Sequence, residues 1–349
     1  METEILKIIA PGTPLREGLD NILKSKTGAL IIIGDSKEIL DLTDGGFKIN
    51  EAYTPARLYE LAKMDGAIVL SKDLKTILLA NTQVIPSSKI VTEETGTRHR
   101  TAERTAKQTG ELVISISQRR NIITVFKGDF RYVIEDTSKI VTRANQALQT
   151  LENYKKVFDT KLSTLNEYEF NDIVTLDNVI TCLERAEMVL KIAKEVEKAI
   201  CELGKDGLLV KMQLEELIEH LPEEELLIIK DYIAPNRRLT PEKVLQAIKE
   251  EMNDEIKDQN KIAKLLGYDI FENYEEVAVY PKGYRILNKI PRMPNTIVVN
   301  LIKAFKSFQH ILAADIEELD EVEGIGEIRA RTIKQALKRM QEQFVFNNF

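Results

Sequence analysis

The sequence predicts a chain of three parts, each with its own class of fold. We expect an α/β domain with a mixed sheet flanked by helices at residues 1–140, an all-α middle segment at 141–280 and a small all-α domain at 281–349. The first part alternates short apolar runs with helical patterns, and the second is helical throughout. The third consists of short helices joined by tight turns. With 349 residues, the chain is also too long for one compact core.

The N-terminal domain is predicted to contain strands and helices in a mixed order. Thr54 and Pro55 are typical of a helix start, and this helix should run to about residue 63. A second helix is expected at 97–108, closed by Gly110. The predicted strands are apolar or alternating runs bounded by turn residues, at residues 29–34, 67–70, 76–80, 112–117, 121–126 and 130–134.

The rest of the chain shows helical periodicity. In residues 177–203 apolar side chains recur at three- and four-residue steps, which favours packed helices that form a spacer or a core. Residues 267–283 are rich in turn formers and are predicted to be a linker. Near the end, a turn followed by an apolar helix occurs twice, at 287–305 and at 319–340. This pattern predicts two similar helix–turn–helix units that pack as a pair.

The net charge of −7 is unevenly distributed along the chain. Lysines and arginines number 21 against 19 acids in residues 1–150, 17 against 29 in 151–281 and 11 against 8 in 282–349, which gives +2, −12 and +3. The acidity therefore belongs to the middle segment, where it is typical of solvated helix faces. Both ends remain free to meet polyanions.

Other features bear on the compartment in which the protein acts. The sequence has no run of eighteen apolar residues, and residues 1–12 lack the basic and apolar pattern of a secretion signal. Cys182 and Cys201 lie in a stretch rich in Lys and Glu, which indicates reduced thiols rather than a disulfide. We therefore expect a cytoplasmic protein without a membrane partner.

Two segments of the N-terminal domain carry chemistry that is unusual for their setting. Asp65 precedes Gly66 at a strand edge, where the missing Cβ lets a ligand approach the backbone. The segment 96–101 begins a helix with three basic side chains. The helix dipole opposes each cation there by about 0.3–1 kcal/mol, whereas a charge-assisted bond to an anion contributes about 1.5–3 kcal/mol. A multiply charged anion such as a triphosphate is therefore predicted at this helix start.

Structural interpretations of the same residues compete with this one. His99 alone could be a satisfied structural histidine, and Asp65 alone could be an ordinary helix-terminal acid. The two arginines of segment 96–101 could form surface ion pairs with nearby carboxylates, which are Glu93, Glu94 and Glu103. The sequence contains no Walker-type loop, no HExxH and no Gly-x-Ser-x-Gly elbow, which disfavours P-loop enzymes, zinc proteases and serine hydrolases.

The two segments are similar to the signature motifs of the diadenylate cyclase family. The matching runs are Asp65-Gly66-Ala67 and Gly96-Thr97-Arg98-His99-Arg100-Thr101-Ala102-Glu103-Arg104. With the C-terminal repeat, the resemblance extends over all three parts of the chain. It implies an enzyme that condenses two ATP molecules into cyclic di-AMP and releases pyrophosphate. In this family two ATP-loaded domains meet face to face, and the 3′-hydroxyl of each ATP attacks the α-phosphate of the other.

The resemblance also implies a role for individual residues. Asp65 would hold or activate the attacking hydroxyl, together with Mg²⁺ or Mn²⁺, and would be a metal ligand. Gly66 would lie against the nucleotide and Val84 would face the adenine. Gln118 departs from the pattern of some relatives, which have an arginine phosphate ligand there. The residues implied in phosphate binding and in completing the pocket are Thr97, Arg98, His99, Arg100, Thr101, Ser117 and Arg120.

Closing the ring requires a second subunit, because one domain with one ATP cannot make both bonds. The resemblance implies a homo-octamer. Phosphoryl transfer needs mainly in-line positioning and neutralised phosphates, so the absence of a metal-binding motif in the sequence is no objection.

The end of the chain resembles a helix–hairpin–helix DNA-binding motif. Gly324, Ile325 and Gly326 would form a hairpin whose N–H groups point at DNA phosphates, with further contacts from Arg329, Arg331 and Lys334. Such contacts predict sequence-independent, salt-sensitive binding, and several copies in one oligomer favour branched or damaged DNA. Three acids at the hairpin mouth, Glu321, Glu323 and Glu327, oppose this reading. Because Met293-Pro294 replaces the glycine pair upstream, the first unit is expected to be a packing partner.

Two hypotheses follow from these residues. The first is a cyclase, associated with DNA in the cytoplasm, whose output is modulated by branched or damaged DNA. The alternative is a non-catalytic DNA-junction protein that binds ATP or cyclic di-AMP as a regulatory ligand. Only the first gives Asp65 a necessary role.

Overall fold

The computed structural model describes residues 2–235, 239–251, 259–269 and 273–346. The chain forms two compact units, one of Met1–Asn145 with Glu197–Lys211 and one of Gln146–Val196 with Met212–Phe349. The last three residues of the predicted C-terminal domain, 347–349, lie outside the described residues.

The first unit is built on a mixed sheet. Its described strands pair in the order β2-β5-β4-β1-β6-β7-β8, and β3 also pairs with β5. Strands β1 and β4 are parallel, and the other pairs are antiparallel. The strands are β1 Ala29–Ile33, β2 Thr43–Asp44, β3 Phe47–Ala52, β4 Ala67–Leu70, β5 Thr76–Val84, β6 Leu112–Ser117, β7 Ile122–Lys127 and β8 Phe130–Ile134; the helices are α1 Glu2–Ile9, α2 Pro14–Lys24, α3 Lys37–Asp41, α4 Pro55–Leu61 and α5 Thr97–Thr109.

Helices cover both faces of this sheet, as the mixed order of elements predicted. On one face Ile31 and Ile114 pack with apolar residues of α1, α2 and α4. On the other face Ile32 and Val113 pack with α3 and with Ala102 of α5. Since β1, β4 and β6 are buried on both sides, their sequences are nearly continuous apolar runs.

The local signals for helix boundaries are confirmed. The Thr54 hydroxyl accepts a hydrogen bond from the Arg57 N–H at 3.1 Å, and Pro55 occupies the first turn of α4. Gly110 ends α5 in the left-handed conformation with φ +68°. Helix α4 ends at Leu61, two residues earlier than predicted.

The second unit is helical and includes most of α6 and α7. Its helices are α6 Thr137–Asn171, α7 Leu176–Leu203, α8 Leu208–Ile218, α9 Leu221–Tyr232, α10 Pro241–Glu251, α11 Gln259–Leu266, α12 Tyr284–Asn288, α13 Asn295–Phe305, α14 Phe308–Ala313, α15 Ile316–Asp320 and α16 Glu327–Phe346. Short 3₁₀ turns occur at Gly204–Gly207, in the first unit, and at Tyr274–Glu276. No helix among the described residues is long and apolar enough to span a membrane.

A buried polar network lies within the second unit. Arg285 is fully buried; its guanidinium pairs with Glu169 at 2.5 Å and donates to the side-chain oxygen of Asn166. The Asp231 carboxylate accepts hydrogen bonds from the backbone N–H groups of residues 283–285 at 2.6–3.0 Å. The start of α12 is therefore held by carboxylates from α6 and α9.

Candidate active site and nucleic-acid interface

The sheet register brings several of the predicted site residues to one edge. Leu30 pairs with Ala67 in parallel, and Ala29 pairs with Ile116 in the antiparallel direction. Ala67 also pairs with Thr82 of β5. The starts of β1 and β4 therefore lie at the same edge as the ends of β5 and β6. The predicted residues at this edge are Asp65, Gly66, Val84 and Ser117.

Arg98 reaches the same edge from the first turn of α5. Its guanidinium occupies the space beside Gly28, which directly precedes β1. A Cβ added at Gly28 would lie 1.9 Å from Arg98 Nη1 and 3.2 Å from the carbonyl oxygen of Ile116. Any larger residue here would force this guanidinium to move. Gly28 was not predicted as a site residue, because a glycine before a strand carries no signal of its own.

The two arginines of the α5 start have no carboxylate partner among the residues that the structure describes. Arg98 is half-buried and Arg100 is exposed. The N-cap residue Gly96 makes no side-chain cap, so free N–H groups of the first turn lie beside these cations. Ion pairing with the residues that the structure describes therefore does not explain the two arginines.

The carboxylates that could have paired with these arginines bind other cations. Glu94 accepts from Arg131 Nε at 2.7 Å, and Glu103 pairs with Lys107 Nζ at 2.8 Å. Burial opposes the ionisation of Glu103, but hydrogen bonds from Lys107 and Thr92 hold the pKa of this carboxyl below its ordinary value. Both acids are thus paired with cations other than Arg98 and Arg100.

His99 differs from the arginines because it is buried. Its Nδ1 lies 3.1 Å from the Ser115 hydroxyl, and its Nε2 is buried without a hydrogen-bond partner among the described residues. Burial lowers the pKa of His99, and the neighbouring Arg120, Arg131 and Arg98 lower it further against the opposing effect of Glu94. The imidazole is therefore neutral near pH 7, and the sequence-based count of three cations in this turn falls to two.

The loop after β6 is tied to the segment that precedes α5. The backbone N–H of Arg120 donates to the Ser117 hydroxyl at 3.2 Å. The Arg120 guanidinium donates to the Thr95 hydroxyl at 3.0 Å. These bonds bring Ser117 and Arg120 beside the α5 start, while Gln118 is exposed in the same loop.

Asp65 is exposed and forms no ion pair or hydrogen bond within the described part of the chain. The next residue, Gly66, has φ +86°, and a Cβ there would lie 2.8 Å from the carbonyl oxygen of Thr82. Close packing on β5 therefore requires this glycine, whatever it does toward a nucleotide. No group of three or more His, Cys, Asp or Glu side chains in the described residues could hold a metal by itself. Because Mg²⁺ takes most ligands from phosphates and water, Asp65 fits as a single protein ligand.

The predicted DNA hairpin is formed in the second unit. Gly324 has φ +85°, and the Ile325 N–H donates to the Val322 carbonyl at 2.9 Å. A Cβ at Gly326 would meet nothing within 4 Å. The hairpin is therefore open on the side of its second glycine.

The basic residues after this hairpin are engaged within the chain. Arg329 donates to the carbonyl of Gly324, and Arg331 pairs with Glu327 at 2.5 Å. The Lys334 ammonium donates to the carbonyl of Leu312 at 2.8 Å and to the two carbonyls that follow. Lys334 thus caps the end of α14, and its predicted role in DNA binding stays a prediction.

Fold and site together define a nucleotide-binding α/β domain followed by helical segments. Three family models match consecutive parts of the chain. They are described as DisA bacterial checkpoint controller nucleotide-binding (residues 16–130), DisA bacterial checkpoint controller linker region (134–275) and SAM-like helix-hairpin-helix tandem (284–339).

Curated relatives match along nearly the whole chain. The DNA integrity scanning protein DisA of Clostridium botulinum (strain Loch Maree / Type A3) is 53% identical over 343 residues, which are 98% of this chain and 96% of the relative. The protein of that name from Acetivibrio thermocellus is 52% identical over 345 residues, 99% of this chain and 96% of the relative. The chain belongs to the DisA family, and it is a diadenylate cyclase that uses ATP.

Two solved structures resemble it distantly. A double mutant of DacA from Staphylococcus aureus aligns with TM-score 0.31 and 19% identity, over 39% of this chain and 89% of that one. A hypothetical membrane spanning protein from Bacillus cereus aligns with TM-score 0.32 and 22% identity, over 35% of this chain and 62% of that one. These scores are too low to carry an argument.

Proposed function

We propose that two copies of the first unit, each with one ATP, meet face to face and make cyclic di-AMP across their interface. The observation that supports this most directly is the pair Arg98 and Arg100, which have no carboxylate partner among the described residues and start α5 beside the edge that carries Asp65. Cations without partners beside a free carboxylate suit a substrate that brings both phosphates and a hydroxyl.

The chemistry balances as two identical transfers. In each, a 3′-oxygen forms a bond to the α-phosphorus of the facing ATP, the bond from that phosphorus to the β-phosphate bridge breaks, and pyrophosphate leaves with the electron pair. Asp65 orients the 3′-hydroxyl and accepts its proton. A divalent cation, Mg²⁺ or Mn²⁺, would supply charge neutralisation on the phosphates when bound.

The other predicted residues orient the substrate. Arg98 and Arg100 bind phosphate oxygens, and the hydroxyls of Thr97 and Thr101 add hydrogen bonds on the same helix turn. His99 acts as a neutral hydrogen-bonding group, because burial lowers the pKa of its imidazole. Geometry requires a second subunit, and we propose the octamer that the family resemblance implies.

We further propose that the C-terminal tandem binds branched or damaged DNA without reading its sequence, and that this binding regulates synthesis in the cytoplasm. Curated relatives are named for DNA integrity scanning, and the helix-hairpin-helix tandem matches residues 284–339. Backbone and cationic contacts to phosphates carry no base information. Several tails on one oligomer would favour DNA with several arms.

The test of the catalytic proposal is a product assay on a matched pair of variants. Asp65→Asn should abolish cyclic di-AMP, measured by mass after incubation with ATP and Mn²⁺ or Mg²⁺, and should leave DNA binding intact. Asp129→Asn is the control, because Asp129 is also exposed but lies in the β7–β8 turn at the opposite edge of the sheet. Unchanged turnover in Asp65→Asn would remove Asp65 from the mechanism.

A further inference from the structure

The two helix–hairpin–helix units repeat with a constant offset. Shifting α12 by 32 residues gives the bounds of α15, and the same shift takes the start of α13 to the start of α16. The hairpins share their hydrogen bonds: the Met293 N–H donates to Ile290 as the Ile325 N–H donates to Val322, at 3.3 and 2.9 Å. The first helix–hairpin–helix unit therefore contains a hairpin of the same backbone conformation, although it lacks the two glycines.

At the tip of the first hairpin stands an arginine in a glycine conformation. Arg292 has φ +60°, and it corresponds to Gly324 of the second hairpin, with φ +85°. A non-glycine residue is disfavoured in this left-handed region, so the arginine is not there for backbone reasons. Arg292 is exposed, and it has no ion pair or hydrogen bond from its side chain in the described residues.

The two helix–hairpin–helix units carry net charges of opposite sign. Residues 282–314 contain six lysines and arginines and no aspartate or glutamate, for a net charge of +6. Residues 315–349 contain five basic and eight acidic residues, for a net charge of −3. The positive charge of the C-terminal region therefore belongs to the first helix–hairpin–helix unit, while carboxylates surround the second hairpin.

Most cations of the second hairpin are already engaged, as described above, whereas Arg292 is not. Within the first helix–hairpin–helix unit, Arg285 is buried in the polar network described above, and Lys289 Nζ lies 3.2 Å from Glu224 Oε1. Lys282 donates to the carbonyl of Ile233 at 2.7 Å. Arg292 is thus the cation at a hairpin tip that remains available to a polyanion.

We infer that the first hairpin is itself a DNA contact, with Arg292 bound to a backbone phosphate. This inference rests on the proposed DNA binding and assigns it a second surface, in a unit whose sequence had indicated packing alone. A guanidinium at a convex tip reaches a phosphate without steric hindrance and reads no base. The two hairpins would then bind two phosphates of the DNA backbone on one arm.

The test compares Arg292→Gly with Arg292→Lys in the full-length protein. Glycine suits the left-handed conformation, so it removes the charge without disturbing the hairpin, and lysine keeps the charge at the same strain. Binding to a fluorescein-labelled synthetic four-way junction is measured by anisotropy over a series of KCl concentrations. Arg57→Gln is the control, because Arg57 is an exposed arginine of the N-terminal sheet domain that pairs with Glu51 at 3.5 Å.

We expect Arg292→Gly to bind about three- to tenfold more weakly, with a salt dependence shallower by about 0.9 in log–log slope. Arg292→Lys and Arg57→Gln should stay within about twofold of the unsubstituted protein, and no variant should melt at a lower temperature. Equal affinity and slope in Arg292→Gly would overturn the inference, as would an equal loss in Arg292→Lys. If the unsubstituted protein binds no DNA even at low salt, the proposed DNA function itself fails.

Discussion

Gly28 has the most direct effect on the position of a site residue. In Gly28→Ala the new methyl would overlap the Arg98 guanidinium, and the arginine must move because the neighbouring Ile116 carbonyl is backbone. We expect the rate of cyclic di-AMP synthesis to fall about ten- to hundredfold, since displacement of a positioning group by about 1 Å has effects of that size. The measurement is initial rate at saturating ATP.

Gly34→Ala is the matched control for Gly28→Ala, because Gly34 follows the same strand at its other end. A Cβ there meets only the flexible Glu111 side chain, at 3.0 Å. Both variants should melt cooperatively. A Gly28→Ala protein as active as Gly34→Ala would show that Arg98 need not hold its position.

At this scale the sequence named most of the site but could not place it. The motifs at 65–67 and 96–104 were recognisable because acids and paired arginines at those spacings are specific. Their partners Gly28 and Ser115 come from strands distant in sequence, and nothing local distinguishes them. The neutral state of His99 was also out of reach, since it depends on burial and on arginines from other elements.

The elements show the same division between local and tertiary signals. Strands β4, β6 and β8 fall at the predicted residues, and β1 differs by one residue, because apolar runs and their bounding turns are local features. Strands β2 and β3 were not predicted: β3 is exposed at almost every position, so it has no buried apolar run. Their pairing with β5 depends on a partner strand rather than on their own sequence.

Lys334 has a structural role besides the DNA contact that the sequence predicts for it. Since its ammonium caps the carbonyls that end α14, Lys334→Met should lower the free energy of unfolding by about 1–2 kcal/mol. Affinity for branched DNA should change by less than about twofold. Chemical denaturation and DNA titration test the two effects separately.

Lys338→Met is the control for Lys334→Met, because Lys338 lies on the same helix and is exposed. Its ammonium makes one weak ion pair, with Glu342 at 4.0 Å. It should leave the free energy of unfolding within about 0.5 kcal/mol. A large loss of DNA affinity in Lys334→Met at unchanged stability would support the sequence-based prediction that Lys334 binds DNA.

A buried acid at the contact of α7, α9 and α10 makes stability depend on pH. Burial raises the pKa of Glu225 well above its ordinary value of 4.5, and the neighbouring Glu187 raises it further against the effect of Lys249. The folded state therefore holds this proton more tightly than the unfolded state. The stabilisation is complete below about pH 4.5 and is lost as pH rises through the raised pKa.

We accordingly expect the melting temperature to fall between about pH 6 and about pH 9, and Glu225→Gln to flatten this dependence. Glutamine keeps the shape of the side chain but carries no proton to lose. The neighbouring exposed acid gives the control: Glu223→Gln should melt with the pH profile of the unsubstituted protein. The same slope in Glu225→Gln would place the pH dependence elsewhere.

In the whole molecule, charge and function are divided along the chain. The described residues assigned to nucleotide chemistry all lie in the first unit, and both hairpins lie in the second. The sequence anticipated this arrangement from net charges of +2, −12 and +3, but the final +3 was not divided between the two hairpins, of which the first lies in a stretch of +6 and the second in one of −3. A summed charge hides opposite signs within one region. The constant 32-residue offset of the repeat shows where to divide this region into its two helix–hairpin–helix units.

Removing the residues after about 280 should preserve synthesis and abolish the response to DNA, but it should also destabilise what remains. Arg285 would be lost, which leaves the buried Glu169 and Asp231 without their partners. Phe170 would lose its edge-to-face contact with Phe308 at 5.3 Å. Breaking a buried ion pair by deleting one partner costs about 3–5 kcal/mol.

Calorimetry of the truncated chain should therefore show a transition well below that of the full-length protein, while ATP turnover persists at lower temperature. Adding Glu169→Gln and Asp231→Asn to the truncated chain tests the cause, because neutral amides need no cation in a buried site. These substitutions should recover part of the lost stability in the truncated chain. They should destabilise the full-length one, where Arg285 would lose the Glu169 carboxylate and the backbone N–H groups at the start of α12 would lose the Asp231 carboxylate. If the truncated chain melts like the full-length protein, the Arg285 network does not join the hairpin region to the helices before it. A full recovery would instead show that the buried charges, rather than the apolar contacts of Phe170, carry that connection.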